Sequence, residues 1–90
     1  MHYLVYKITN KLNGMIYIGK HQTRNLLDAY MGSGTYLRRA ISKYGVQNFT
    51  KEILFDFKSE KQMLDKEKEL VNEDFVRRKD TYNCVLGGGG

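Results

Sequence analysis

The chain contains no proline, no tryptophan and one cysteine, Cys84. A single cysteine excludes an internal disulfide and any multi-cysteine zinc site. His2 and His21 are the only histidines, so a multi-histidine metal cage is excluded as well. These absences point to a reducing, intracellular setting. No apolar run approaches the roughly 18–20 residues that span a bilayer, and no secretory signal opens the chain. The expectation is a cytoplasmic protein that does not meet a membrane. Acidic residues are scarce in one half. Residues 1–50 hold Asp28 as their sole acid against seven Lys/Arg, a charge of +6, whereas residues 51–90 carry −1. A length of 90 residues excludes a two-domain enzyme.

What is present is an ordinary globular composition, 41% hydrophobic and 28% charged. The basic half also carries Tyr3, Tyr6, Tyr17, Tyr30, Tyr36 and Tyr44, a combination suited to a polyanion surface; the competing reading is a merely solvated basic face. Residues 2–9 alternate, with Leu4, Tyr6 and Ile8 on one side and Tyr3, Val5 and Lys7 on the other, which predicts a strand. Asn10–Gly14 is turn material, and residues 15–19 resume the pattern, so 2–19 reads as a β-hairpin that sets Tyr6 beside Tyr17. Residues 20–34 read as a polar loop with room for a helical turn from Leu26 to Tyr30. Leu37, Ala40, Ile41 and Tyr44 form a helical stripe that Gly45 ends. Phe49–Phe57 reads as a third strand with Phe49, Ile53, Phe55 and Phe57 on one face. Ser59 and Gln62 make a capping box for a helix running to about Phe75.

Glu67 falls among Met63, Leu64, Leu70 and Val71, near the middle of the apolar stripe of that helix. A carboxylate there must be paired, bind a cation or snorkel to water. Asp74 sits at a similar angle near the helix end. Tyr6 and Tyr17 suit either half-buried packing or chemistry in a polar site. A single carboxylate with waters would suit one magnesium or manganese ion. Gly32-Ser33-Gly34 reads as a phosphate-binding nest or as a plain loop with Ser33 or Thr35 as N-cap, and Cys84 as a small packing residue.

Leu4-Val5-Tyr6 followed after ten residues by Tyr17-Ile18-Gly19 resembles the paired signature of the GIY-YIG nuclease superfamily. Arg39 to Gly45, the helix bearing Glu67 and Tyr82-Asn83 resemble its later blocks, so the similarity runs along essentially the whole chain. The length resembles that of a lone catalytic domain of phage or mobile-intron homing endonucleases. The resemblance implies an α+β fold, a central antiparallel three-stranded sheet with flanking helices, over residues 1–86, with 87–90 a flexible glycine tail or linker start. It implies hydrolysis of a DNA phosphodiester assisted by one divalent metal, Mg2+ or Mn2+, held by Glu67. Tyr6 would be the general base or orient the attacking water, Tyr17 would hydrogen-bond in the same site, Gly19 would allow close backbone approach, and Asn83 would support the site. The partner implied is double-stranded DNA, with Arg38, Arg39 and Lys43 on its phosphates and target choice left to an appended recognition domain or a homodimer.

The sequence departs from the family pattern in two places. Leu4-Val5 replaces Gly-Ile, and Leu27 stands where the family carries a catalytic arginine. Lys20, His21 or Arg24 is expected to take the phosphate-stabilising role, with His21 also able to polarise a water. Two alternatives accompany this reading: a degenerate domain that binds DNA without cutting, and a basic protein-interaction module.

Overall fold

Alternation along the first strand governs the fold. In the computed structural model, which describes residues 1–87, β1 (His2–Asn10) is the middle strand of a three-stranded sheet. It pairs antiparallel with β2 (Ile16–Thr23) on one side and β3 (Phe49–Phe57) on the other, giving the order β2-β1-β3. Because successive side chains point to opposite faces, β1 supplies two cores. Tyr6 and Ile8 pack with Leu37, Ala40, Phe49 and Tyr82 beneath α1 (Thr35–Tyr44). Val5 packs with Ile18, Met63, Val71 and Phe75 beneath α2 (Glu60–Leu70) and α3 (Glu73–Val76). The expected three-stranded antiparallel sheet with flanking helices is therefore the observed architecture.

The turn between β1 and β2 is built on Asn10, which is fully buried. Its Oδ1 accepts from the Leu12 N–H at 2.9 Å and its Nδ2 donates to the Tyr82 hydroxyl at 3.0 Å, tying the hairpin to the end of the chain. α1 matches its predicted stripe, and Gly45, at φ 91°, closes it by donating to the Ile41 carbonyl. The predicted Ser33 or Thr35 cap is not used: Gly34 is the N-cap and offers no side chain. Ser59 caps α2 as expected, its Oγ accepting from the Gln62 N–H at 3.2 Å.

Four expectations are corrected. β2 continues through Lys20–Thr23, because His2 to Val5 of β1 lie opposite and supply its ladder partners. Leu26–Tyr30 is not helical; the Asn25 and Asp28 side chains accept from the N–H groups of Leu27 and Tyr30, folding the segment into local turns. β3 does not present its apolar residues on one face. Tyr6 pairs with Ile53 but Val5 with Phe55, so Leu54 is an extra residue, and this bulge moves Phe55 and Phe57 to the α2 side. Finally, the second helix stops at Leu70. Asn72 starts α3 by accepting from the Phe75 N–H at 2.9 Å, which leaves Asp74 exposed in the first turn of that short helix.

After α3 the chain returns along the free edge of β2. Ile16 bridges Thr81 in parallel, and its N–H and C=O pair with Asp80 and Tyr82. Gly87 does not hang free: its N–H donates to the Val71 carbonyl at 2.8 Å. The remaining three glycines of the expected tail lie outside the described residues. Among the described residues, no helix is long and apolar enough to cross a membrane.

Candidate active site

A cavity of about 380 Å³ opens where the edge of β2 meets the two helical layers. Tyr17, Tyr30, Ser33 and Gly34 line it from the α1 side, Glu67 and Val71 from the α2 side, and Lys20 from the edge strand between them. Asn83, Val85, Leu86 and Gly87 close its remaining wall. Residues from both faces converge here because β2 is an edge strand, so side chains reach around it instead of being separated by it.

Glu67 is buried in the core stripe, with its carboxylate at the cavity. Lys20 Nζ lies 3.7 Å from Glu67 Oε1, so the pair joins opposite charges at the rim of a half-enclosed site. Tyr17 is half-buried beside them. Burial raises its hydroxyl pKa, the Glu67 charge adds to that rise, and a hydrogen bond with Ser33 opposes it. Tyr17 is therefore a neutral phenol at physiological pH.

Tyr6 occupies a different position. It is 1% exposed and does not line the cavity; Tyr17 lies against it at 6.3 Å between ring centroids and Tyr30 meets it edge-to-face at 6.1 Å. Desolvation pushes its pKa far above the usual phenol value, and the neighbouring Tyr17, Tyr30 and Glu67 push the same way. Tyr6 is therefore held as a neutral phenol near neutrality. Two glycines make this packing possible. A Cβ on Gly19 would stand 2.5 Å from the Tyr6 hydroxyl oxygen, and one on Gly34 would stand 2.7 Å from the Tyr17 ring. Gly19 thus serves the tyrosine packing.

The other sequence candidates separate clearly. Asn83 acts through β2: its Oδ1 accepts from the Ile18 N–H at 2.9 Å and its Nδ2 donates to the Ile18 carbonyl at 2.7 Å, so its side chain continues the ladder at the cavity edge. His21 faces the α1 side and does not line the cavity. Its Nε2 is 2.8 Å from Asp28 Oδ2, and its ring stacks on Tyr30 at 3.9 Å. Arg24 is exposed in the turn after β2 and does not line the cavity either. Leu27 is 91% exposed. Of the three residues offered in place of the arginine, Lys20 alone reaches the cavity. Arg38, Arg39 and Lys43 are exposed on α1, where Arg38 and Arg39 line a shallow depression with Thr35 and Ser42. The Arg39 guanidinium lies 5.7 Å over the Tyr36 ring, and Lys43 lies 5.1 Å over Tyr44. Cys84 is exposed and not a packing residue.

Sequence reasoning missed Tyr30 and Lys51. Tyr30 lines the cavity from a segment with no period to read. Lys51 Nζ lies 5.3 Å over the Tyr6 ring and donates to the Tyr30 carbonyl at 2.8 Å, a placement set by the register of β3. Among the described residues no three metal-ligating side chains cluster. The donor set at Glu67 is thus one carboxylate in a water-accessible cavity, which fits a hard divalent cation that keeps most of its waters.

Comparison with known proteins yields full-length matches for this chain. It is 57% identical over 90 residues to "Putative endonuclease segB" and 54% identical over 90 residues to "Putative endonuclease segD", both of Enterobacteria phage T4. It is 49% identical over 85 residues to "Endonuclease segA" of the same phage. These alignments cover 100%, 100% and 94% of the chain but 41%, 40% and 38% of the relatives, so the chain spans about two fifths of their length. No family model matches the chain, and no solved structure does.

Proposed function

We propose that the chain is a metal-dependent DNA endonuclease domain of the GIY-YIG kind that hydrolyses phosphodiester bonds at the β2 edge. The observation that carries this reading is the meeting of Tyr17 and Lys20 of β2 with Glu67 of α2 in one cavity, from two elements far apart in the sequence. The names of the phage relatives support it independently.

In this reading Glu67 holds one Mg2+ or Mn2+ ion, which supplies charge neutralisation at the phosphoryl oxygens and acidifies bound water. The chain's own residues do the rest. Lys20 pairs with Glu67 at 3.7 Å and offers its remaining N–H donors to a phosphate oxygen. Tyr17, a neutral phenol, donates a hydrogen bond that orients the attacking water or the scissile phosphate. Tyr6 is a backing residue that fixes Tyr17 and Tyr30. Asn83 holds the edge strand so that Lys20 and Tyr17 keep their spacing. Arg38, Arg39 and Lys43 grip backbone phosphates of double-stranded DNA and position the duplex without reading it. Target choice falls to an appended recognition domain or to a second copy.

A second reading is favoured by one observation: no arginine lines the cavity, and Lys20 is its only cationic side chain among the described residues. A domain of that kind would bind DNA without cutting it. Supercoiled plasmid incubated with Mg2+, Mn2+ or chelator separates the two. The nuclease reading predicts metal-dependent relaxation or linearisation that Glu67→Ala abolishes. Salt-sensitive binding without cutting under any metal would leave the second reading standing.

A further inference from the structure

We propose that Asp28 is a positioning residue: it staples the segment 24–34 across the face of the sheet and so fixes Tyr30 as a wall of the cavity. The effect on DNA cutting rests on the nuclease reading above, whereas the staple itself does not.

Asp28 is the sole acid of residues 1–50, and four donors converge on it. Its Oδ2 accepts from His21 Nε2 at 2.8 Å and from Thr23 Oγ at 2.8 Å. Its Oδ1 accepts from the Tyr30 N–H at 3.3 Å and lies 3.9 Å from Lys51 Nζ. His21 and Thr23 belong to β2, and Lys51 belongs to β3. These are the two outer strands, so one carboxylate ties both across the side of β1 that carries the buried Leu4 and Tyr6.

Tyr30 is consequently held at every part of its backbone and ring. Asp28 takes its N–H, Lys51 donates to its carbonyl at 2.8 Å, His21 stacks on one ring face, and Tyr6 packs against it edge-to-face. A carboxylate suits this junction because each oxygen serves two donors, one of them the Lys51 ammonium; an amide would offer a single acceptor oxygen. The hydrogen bonds from His21 and Thr23 hold the Asp28 carboxyl at about 2, so it is charged at neutral pH.

The test compares the full chain with Asp28→Asn by trypsin cleavage after the exposed Arg24 and by NMR contacts between the His21 and Tyr30 rings. The staple predicts Arg24 cleavage at least about tenfold faster in the variant and loss of the ring contacts, with the far-UV spectrum unchanged. Asp28→Glu, which keeps the carboxylate, should recover part of the protection. In DNA cleavage, Asp28→Asn should lower kcat about tenfold with duplex affinity within about twofold of wild type. Arg24 cleavage within about twofold of wild type together with intact ring contacts would overturn the proposal. If Asp28→Asn does not fold, Lys51→Met and Thr23→Val each remove one arm of the staple. Either should speed Arg24 cleavage about threefold, and unchanged rates in both would likewise overturn it. A wild-type chain that cuts no DNA with any metal sinks the nuclease reading, while the proteolysis and NMR results still decide the staple.

Discussion

The side chains at the cavity divide into those that face it and those that hold others in place. Tyr17 faces it and Tyr6 does not, although both belong to the sequence signature, Tyr6 ending its first triplet and Tyr17 opening its second. Removing a preorganised donor at a reacting centre costs about a hundredfold or more in rate. Tyr17→Phe is accordingly expected to lower cleavage by at least that factor, with DNA binding retained. Tyr6→Phe, which loses only its hydrogen bond with Tyr30 behind the cavity, should cost nearer tenfold. Rates for the two variants on one duplex decide the order, and the reverse order would return the leading role to Tyr6.

Asp28 gives a pH prediction whose sign follows from its folded carboxyl lying at about 2, below the ordinary 3.8. Between those values the unfolded chain binds more protons than the folded one. The stabilisation is therefore complete above about pH 5 and is lost as pH falls through 2. Asp28→Asn lacks this contribution. The difference in melting temperature between wild type and variant should shrink steadily from pH 5 to pH 2; a constant difference would contradict the assignment.

At the scale of elements, local patterns carried the reading where the partner is the element's own stripe or cap. The alternation of β1, the Leu37–Tyr44 stripe of α1 and the Ser59 cap were all legible in this way. The Lys20–Thr23 extension of β2 was not, because polar residues become a strand there only when β1 supplies the ladder. Nor was the bulge at Leu54, which is a property of pairing and splits an apolar set that looks continuous in sequence. The break after Leu70 does have a local signal: Asn72 is a strong N-cap inside an otherwise helical run. Truncating such a cap costs about 1 kcal/mol. Asn72→Ala should lower the melting temperature by about 4–8 °C, measured by circular dichroism, while leaving the Glu67 end of the site intact.

The site itself was partly legible for the same reason. Glu67 could be found because a carboxylate amid Met63, Leu64, Leu70 and Val71 breaks a helical pattern. Tyr30, Asp28 and Lys51 could not, since they meet only once β3 has docked beside β1. Lys20, His21 and Arg24 are equal candidates in the sequence, and the fold separates them: neighbours on a strand point to opposite faces, so Lys20 reaches Glu67 while His21 turns to Tyr30, and Arg24 lies beyond the end of β2.

For the whole molecule, the charge asymmetry acquires a location. The basic half supplies α1, with Arg38, Arg39 and Lys43 exposed, and Lys20 at the cavity. If that surface carries duplex DNA, binding must weaken steeply with salt, because each neutralised phosphate releases condensed counterions. Replacing Arg38, Arg39 and Lys43 by alanine should reduce the slope of log affinity against log salt by about 2–3, as expected for three lost phosphate contacts. An unchanged slope in a fluorescence-anisotropy titration would move the DNA path off α1.

In the proposed function the cavity at the β2 edge is a hydrolytic centre organised on Glu67. Its most direct test is single-turnover cleavage of an end-labelled duplex, with Mg2+ or Mn2+ and with chelator, by wild type and by Glu67→Gln, which keeps the side chain's size and removes its charge. The expected result is metal-dependent cleavage by the wild type, none in chelator, and a loss of at least about a hundredfold in Glu67→Gln with DNA affinity preserved. Cleavage by Glu67→Gln at the wild-type rate would contradict it and place the chemistry elsewhere on the molecule.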